Sequence, residues 1–449
     1  MNVTLNRPDP IATPLTRYCE PKRGPLGIVE AANGGRYWAL RHAVTELTPA
    51  QVADVVKASG LRGRGGAGFP TGMKWGLLAA DAPHPRYLVV NGDEMEPGTF
   101  KDRYLLENDP HGMVEGALVA AYAIQASTAY IFIRGEYLLA EKRLKAAIHE
   151  AYAAGFAGKN ICGSAWSCEV VVHMSGGRYI CGEETALLNA LEGRRANPRA
   201  KPPFPTVAGL FGQPTIVNNV ETIYNVPHIV IHGADWWKGL ARSPEGGTKM
   251  YGVSGKVKRP GVWELPLGVT VREVIEGHAG GMRDGVKLKG FLPGGAGTDF
   301  LTPAHLDLMA DYATIRDAGS RLGTATMIIL DDQTDVVGMV LNLTKFFAQE
   351  SCGFCTPCRD GLPRAEQILR AMVNRQGMPG DIEDVAKISW LLRPGMTFCA
   401  LAPGAAEPID SALKYFRADF ERWIAASTIP AAQQSEGSVA YGAGAGVRP

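Results

Sequence analysis

Three cysteines in the string SCGFCTPCR, Cys352, Cys355 and Cys358, stand at C-x2-C-x2-C spacing between two segments of helical periodicity. Three thiolates so placed can take three corners of an iron-sulfur cube, which then needs one more ligand from elsewhere in the chain. Cys399, in PGMTFCALAPG, is the only other cysteine of the helical C-terminal part and is assigned as that fourth ligand. Structural zinc is the competing reading, although zinc sites usually pair two separate knuckles. Cys19, Cys162, Cys168 and Cys181 show no ligand spacing and read as small buried hydrophobes.

A second chemistry is written into GLRGRGGAGFPTGMKW, residues 60–75. Glycines at this density leave the backbone free to take positive φ, to approach a ligand closely and to aim N–H groups into one concavity. Arg64 and Lys74 add positive charge, so the expected guest is an anion, with phosphate the commonest. Gly63, Gly65 and Gly68 match GxGxxG, but the dinucleotide fingerprint needs a strand before the glycines and a helix directly after them. Here TPAQVADVVKASG upstream is helical in pattern, and Pro70 and Gly72 downstream oppose an immediate helix. The loop therefore reads as a phosphate cradle of another kind, against the alternative of a flexible surface loop.

Carboxylates and amides gather in three further strings. YLVVNGDEMEPGTFKDR delivers Asn91, Asp93, Glu94 and Glu96 from a strand onto a loop, where they can grip ribityl or ribose hydroxyls or form a solvated acidic turn. In EVVVHMSGGRYICGEETALLNALEGRR a strand runs into Gly176 and Gly177. A helix then begins near Glu183, so Glu183 and Glu184 fall where the helix dipole alone favours carboxylates. RRANPRAKPPFP sets Lys201 and Phe204 in a proline-stiffened loop suited to a charged and an aromatic contact with a nucleotide. Asn218 and Asn219, in PTIVNNVET, offer amides just before a helix or simply cap it. None of the nine histidines pairs at metal-ligand spacing.

Positioning these groups requires several domains, which 449 residues accommodate. Up to about residue 50 the chain is Pro-rich and irregular at first, an arm expected to lie on a neighbouring surface. From Thr48 to about Leu240 helical patterns alternate with YLVVNGDE, AYIFIRGE and CEVVVHMSGG, which argues for an α/β sheet domain. Residues 250–330 carry MYGVSG, GVWELP, KLKGFLPGG and TMIILDD around the short helix VREVIEG, a small α+β module of β-grasp type. From Val336 the pattern is helical throughout and predicts a small bundle. The last two dozen residues are poor in bulky apolar side chains and read as disordered. The net charge of +1 argues against nucleic acid or an anionic membrane as the main partner. No secretory signal opens the chain, and the uncharged stretch from Gly116 to Ile133 divides into a helical and a strand-like half. Eight cysteines in such a chain argue for metal or redox work by some of them.

From Leu61 to Trp423, through GRGGAGFPTG, NGDEMEPGTFKDR, GRYICGEETALLNALEGRRANPR, PTIVNNVET, GGAGTDFL and ESCGFCTPCRDGLP, the chain closely resembles the flavin-binding F subunits of bacterial NADH-quinone oxidoreductase, respiratory complex I. The resemblance implies an α/β, Rossmann-like FMN/NADH domain with the arm over 1–240, a β-grasp-like domain over 245–335 and a helical [4Fe-4S] domain over 336–425, with the tail at 426–449. It implies that NADH hands a hydride to FMN, which passes electrons singly to the cluster. Gly63, Arg64, Gly65, Gly66, Lys74, Asn91, Asp93, Glu94, Gly182, Glu183, Glu184, Asn218 and Asn219 would line the FMN pocket. Phe69, Glu96, Glu184, Lys201 and Phe204 would serve NADH, with Glu94 and Glu184 as the candidate catalytic groups. Leu77 departs from the pattern, standing where some members carry an aromatic that stacks on adenine. Implied partners are a thioredoxin-like [2Fe-2S] subunit and a larger iron-sulfur subunit. Through them this chain would lie at the cytoplasmic face of the cell membrane. The runner-up is the NAD-linked subunit of a formate dehydrogenase or soluble hydrogenase.

Overall fold

The computed structural model describes residues 4–20 and 22–428. The tail expected to be disordered lies, from residue 429 onward, outside them. Four strands, β1 (Tyr87–Gly92), β2 (Thr128–Ile133), β3 (Glu169–Met174) and β4 (Thr215–Asn219), form a parallel sheet in the order β3-β2-β1-β4. Leu88, Val89 and Val90 of β1 are fully buried, as expected of a strand covered on both faces. The cover includes the Pro110–Ala123 helix, buried along its whole length and apolar except for His111 and Glu115, which meets the Val220–His232 helix closely at Gly116. The chain moves outward from β1 through β2 to β3 and then returns to the other side of β1 as β4. The strand order thus reverses between β1 and β4, and their carboxyl ends open one crevice, the usual ligand position of such sheets.

A second sheet joins β5 (Thr248–Gly255), β6 (Gly261–Pro266), β7 (Leu288–Leu292) and β8 (Thr326–Asp331) in the order β6-β5-β8-β7. β5 runs parallel to β8, and the outer pairs are antiparallel. The short helix expected over VREVIEG is wound as a π-helix, Glu273–His278. Five helices follow: Val336–Glu350, Leu362–Val373, Asp381–Leu391, Leu401–Tyr415 and Arg417–Ala425. Leu362, Ala365, Leu369 and Met372 show how each presents one apolar face inward. That core also takes in Ile180 and Ala186 from the parallel-sheet region and Phe300 and Leu330 from the second. The three regions therefore share packing where they meet.

The N-terminal arm finds its surface on this chain, where buried carboxylates need donors. Arg36 pairs with Asp109 and Glu115 in the core, the Tyr37 hydroxyl meets His111 at 2.7 Å, and the Leu15 and Thr16 N–H groups donate to the Glu264 carboxylate of β6 at 3.0 and 2.8 Å.

Candidate functional site

The glycine-rich loop is a closed turn laid over the crevice. Thr48 and Gln51 form a capping box that starts the Pro49–Ser59 helix, and Gly60 ends it at φ 70°. The loop then closes through Gly63 N–H to Phe69 C=O at 2.9 Å and Thr71 N–H to Leu61 C=O at 2.8 Å. A Cβ on Gly65 would sit 2.9 Å from Asn219 Cβ, and one on Gly68 2.6 Å from the Tyr312 ring. Glycine at these positions lets the backbone lie against the end of β4. The loop does follow a helix and not a strand, but the expectation that Pro70 and Gly72 oppose an immediate helix is wrong. Thr71–Gly76 is helical, with Pro70 as its N-cap. Proline gives up nothing where no intrahelical donor is needed, and Gly72 is there for packing, since its Cβ would lie 2.4 Å from Lys57 Cα.

Lys74, on that helix, reaches Glu184 Oε1 at 2.6 Å and Val217 C=O at 2.7 Å, while Lys201 reaches Glu184 Oε2 at 3.0 Å. Burial alone would raise the Glu184 carboxyl, but the two ammonium groups hold it below the usual range. Phe69 and Phe204 stand exposed, as does Leu77. Asn91 Nδ2 donates to Gly182 C=O at 2.8 Å, which fastens the Gly182–Glu184 stretch to β1. Asp93 is 8% exposed, neither carboxylate oxygen makes a well-formed hydrogen bond, and burial pushes it up to about 7 against the weaker pull of the Ser175 hydroxyl and Arg134.

Other expected residues turn elsewhere. Glu94 accepts the Asp102 and Arg103 N–H groups at 2.8 and 3.0 Å and the Tyr137 hydroxyl at 3.0 Å, so it caps the Lys101–Asn108 helix and shares no partner with Glu184. Glu183 caps the Glu184–Leu191 helix through Thr185 and Ala186 N–H. Asn219 caps the Val220–His232 helix, and Asn218 accepts the Trp75 indole N–H at 2.9 Å. Glu96 lies in a niche with Tyr179 and Gly297. The Arg64 backbone N–H donates to Thr222 Oγ1 at 2.8 Å. Its fully buried guanidinium turns to the Thr248 carbonyl at 3.0 Å, with Nε and Nη1 lacking partners. Of the remaining loop glycines, Gly66 takes φ +131°.

Beneath the crevice lies a charge network that the motifs did not announce. Glu221 receives Lys101 at 2.9 Å and Lys249 at 2.6 Å, and Asp102 joins Lys101 at 2.7 Å to Asn219 Nδ2 at 2.6 Å. Despite burial, the two lysines pull Glu221 down to about 2, whereas burial brings Lys249 down to about 7 against the attraction of Glu221. Lys101, Asp102 and Glu221 stood inside strings already singled out, FKDR and NNVET. Lys249 reaches in from β5 and left no local signal.

Cys352 and Cys355 follow the Val336–Glu350 helix, Cys358 sits in the short π-helix Pro357–Gly361, and Cys399 precedes the Leu401–Tyr415 helix. Cys358 is buried in the helical core with the other three packed around it. Burial, reinforced by the neighbouring sulfurs, pushes Cys358 up to about 12 and Cys399 up to about 11. Among the described residues, no three His, Cys, Asp or Glu side chains converge on a single-ion sphere. An iron-sulfur cube asks for something else, since each thiolate binds a different corner. Cys19 and Cys162 are half-buried, and Cys168 and Cys181 buried.

The residues fit the expected groups. Asp93 is a buried acceptor with room for hydroxyl or N–H donors such as a flavin carries, Arg64 has spare donors, and Gly66, at φ +131° with open space where a Cβ would stand, permits close backbone approach. Cys358 and Cys399, whose thiol pKa values burial raises, become thiolates readily only beside cations such as iron.

A nucleotide crevice at a strand reversal, joined to a four-cysteine helical region, defines a flavin- and iron-sulfur-dependent oxidoreductase module. The "Nuo51 FMN-binding domain" family matches residues 56–228, "SLBB domain" residues 250–296, and "NADH-ubiquinone oxidoreductase-F iron-sulfur binding region" residues 338–423. The F subunit of the NADH-quinone oxidoreductase of Escherichia coli (strain K12) is 54% identical over 416 residues, covering 92% of this chain and 94% of that protein. Its counterpart in Mycobacterium bovis (strain ATCC BAA-935 / AF2122/97) is 47% identical over 419 residues, 91% and 94% of the two chains. The chain belongs to the family of NADH-quinone oxidoreductase F subunits. Among solved structures, a crystal structure of NAD+-reducing [NiFe]-hydrogenase in the H2-reduced state superposes with a TM-score of 0.79 at 34% identity over 86% of this chain. This chain spans 65% of the length of that one.

Proposed function

We propose that this chain is the electron-input subunit of an NADH-quinone oxidoreductase, with FMN in the β1/β4 crevice and a [4Fe-4S] cluster on Cys352, Cys355, Cys358 and Cys399. When bound, FMN supplies two-electron chemistry with NADH and one-electron chemistry with the cluster. The glycine loop and Asn219 receive the flavin's polar chain by close backbone approach, and Asp93 accepts its donors. Lys74 and Lys201 keep Glu184 ionised and fixed at the rim, while exposed Phe69 and Phe204 offer faces for nucleotide rings. Glu96 is read as the acceptor of the adenosine ribose hydroxyls, and Glu94 as the carboxylate that fixes the loop carrying Asp93.

The observation that carries this reading is the Tyr179–Ala186 stretch. Gly182 and Glu184 belong to the crevice, while Ile180 and Ala186 pack into the core that holds Cys358, and Glu183 bears electrostatically on Cys399. One short segment thus borders both sites, as electron transfer between them requires.

We read the units as 1–240 for flavin and nucleotide, 245–335 as a β-grasp-type module, and 336–425 as the helical bundle of the cluster. Phe354 and Phe398, exposed and in ring contact at 5.2 Å beside the cysteines, with exposed Met396, form an apolar patch suited to an iron-sulfur partner subunit. Among the described residues no helix is long and apolar enough to cross a membrane, so attachment at the membrane's cytoplasmic face would run through partners. A hydrogenase-linked role is the second reading, but 54% identity to a quinone-reductase subunit against 34% to the hydrogenase chain favours the first. The test is flavin release by acid, iron and sulfide analysis, and electron paramagnetic resonance after reduction. Zinc in place of iron, or no flavin, overturns the assignment.

A further inference from the structure

Glu96 is gripped from two sides. Its Oε2 accepts the Tyr179 hydroxyl at 2.5 Å, and its Oε1 accepts the Gly297 N–H at 2.5 Å. The gripping loop is moulded to it, since a Cβ on Gly295, at φ +102°, would lie 2.5 Å from Glu96 Cγ, and one on Gly297 3.2 Å from Oε1. Each grip is anchored in the region that carries the cysteines. The Tyr179 N–H donates to Glu350 Oε2 at 2.8 Å, at the end of the Val336–Glu350 helix and two residues before Cys352. The Gly297 carbonyl accepts from Arg321 Nη2 at 2.5 Å, and Arg321 Nε pairs with Glu407 Oε2 at 2.8 Å, on the helix that begins just after Cys399. Gly404, one turn before Glu407, brings that helix against the same loop, since its Cβ would lie 3.7 Å from Gly297 Cα.

The Gly297 backbone is therefore held on both sides of its Cα, its N–H by Glu96 and its C=O by Arg321. A guanidinium serves this better than an ammonium, because its fork can face a carbonyl and a carboxylate at once. A carboxylate with one donor fixed on each oxygen keeps its remaining lone pairs in fixed directions.

We propose that Arg321 and Glu407 are positioning residues for Glu96, setting its orientation toward the nucleotide ribose and tying nucleotide affinity to the helix that follows Cys399. This rests on the reading that Glu96 meets the ribose. Arg321→Met frees the Gly297 carbonyl and lets the carboxylate turn. Glu407→Gln leaves the guanidinium without its charged anchor, and the double variant can lose no more than the first. Arg321→Lys can serve the carbonyl or Glu407 but not both, and falls between.

The experiment is equilibrium titration of ADP-ribose and of its 2′-phosphate into the purified holoprotein by calorimetry, with flavin and iron measured on each sample. Arg321→Met and Glu407→Gln are each expected to weaken ADP-ribose by about three- to tenfold, the cost of one unfixed side chain, with flavin and iron unchanged. An unchanged Kd in both variants, or additive losses in the double variant, overturns the proposal. Should Arg321→Met fail to fold, Glu407→Gln alone decides it. Glu96→Gln runs in parallel. If it leaves the ratio of the two ligands' Kd values unchanged, the ribose reading itself falls. If that ratio shifts while Arg321→Met and Glu407→Gln change nothing, only the present inference falls.

Discussion

The crevice and the cysteine site are built on opposite plans. At the crevice, almost every charged group already has a protein partner. Lys74, Glu184 and Lys201 form one chain of ion pairs, Glu94 and Glu183 cap helices, and Glu221 is clasped by two lysines. At the cysteine site the donors sit in loops and a short π-helix between the longer helices, and burial raises the thiol pKa of Cys358 and Cys399. A parallel sheet fixes its strand ends through its own ladder and so can preorganise a ligand site. Loops between helices have no such ladder, so a cluster bound by the four cysteines would supply the order there.

The largest effect that would test this contrast comes from Cys399→Ala. Three thiolates do not complete the cube, so iron and the reduced-state paramagnetic signal should disappear, and the five C-terminal helices should melt ahead of the parallel sheet. Differential scanning calorimetry checks this, and a single unshifted transition would show that the cysteine loops are as self-sufficient as the crevice. Next in size is Gly65→Val. Its side chain enters the space of Asn219, so flavin content, read by fluorescence after acid release, should fall to background. The overpacking costs about 1–3 kcal/mol of stability, and iron stays bound. Smaller again is Glu96→Gln, which keeps an acceptor but removes the charge that repels a 2′-phosphate. Ferricyanide-reduction assays should show the NADPH to NADH ratio of kcat/KM rising roughly ten- to hundredfold, equivalent to about 1–3 kcal/mol. A ratio that does not move would place Glu96 away from the ribose and leave its two grips as structure alone.

What could be read in advance follows the range of the interaction. Apolar runs such as YLVV and AYIFI, and the helical period of TPAQVADVVKASG, act within a few residues and announce their strands and helix directly. Glu183 and Asn219 sit at helix starts, so their capping roles were open alternatives from the outset. The Thr71–Gly76 helix was missed because Gly72 looks like a breaker until Lys57 is seen pressed against it. Nor could the arm's place be read, since Asp109, Glu115 and Glu264 call for donors more than seventy residues away. Arg321 and Glu407, 86 residues apart, belong to the same class. Long-range pairs leave no periodicity behind them.

The reversal of strand order also sets a timetable. In register, Asn91 of β1 lies opposite Asn219 of β4, and 128 residues separate them along the chain. At a synthesis rate of about 5–20 residues per second, roughly 6–25 s pass between the two emerging from the ribosome. During that interval β1 can pair with β2, but its other edge stays open, and such unpaired edges invite aggregation. The crevice is closed by a late strand, so only a chain translated past β4 can take up a flavin there.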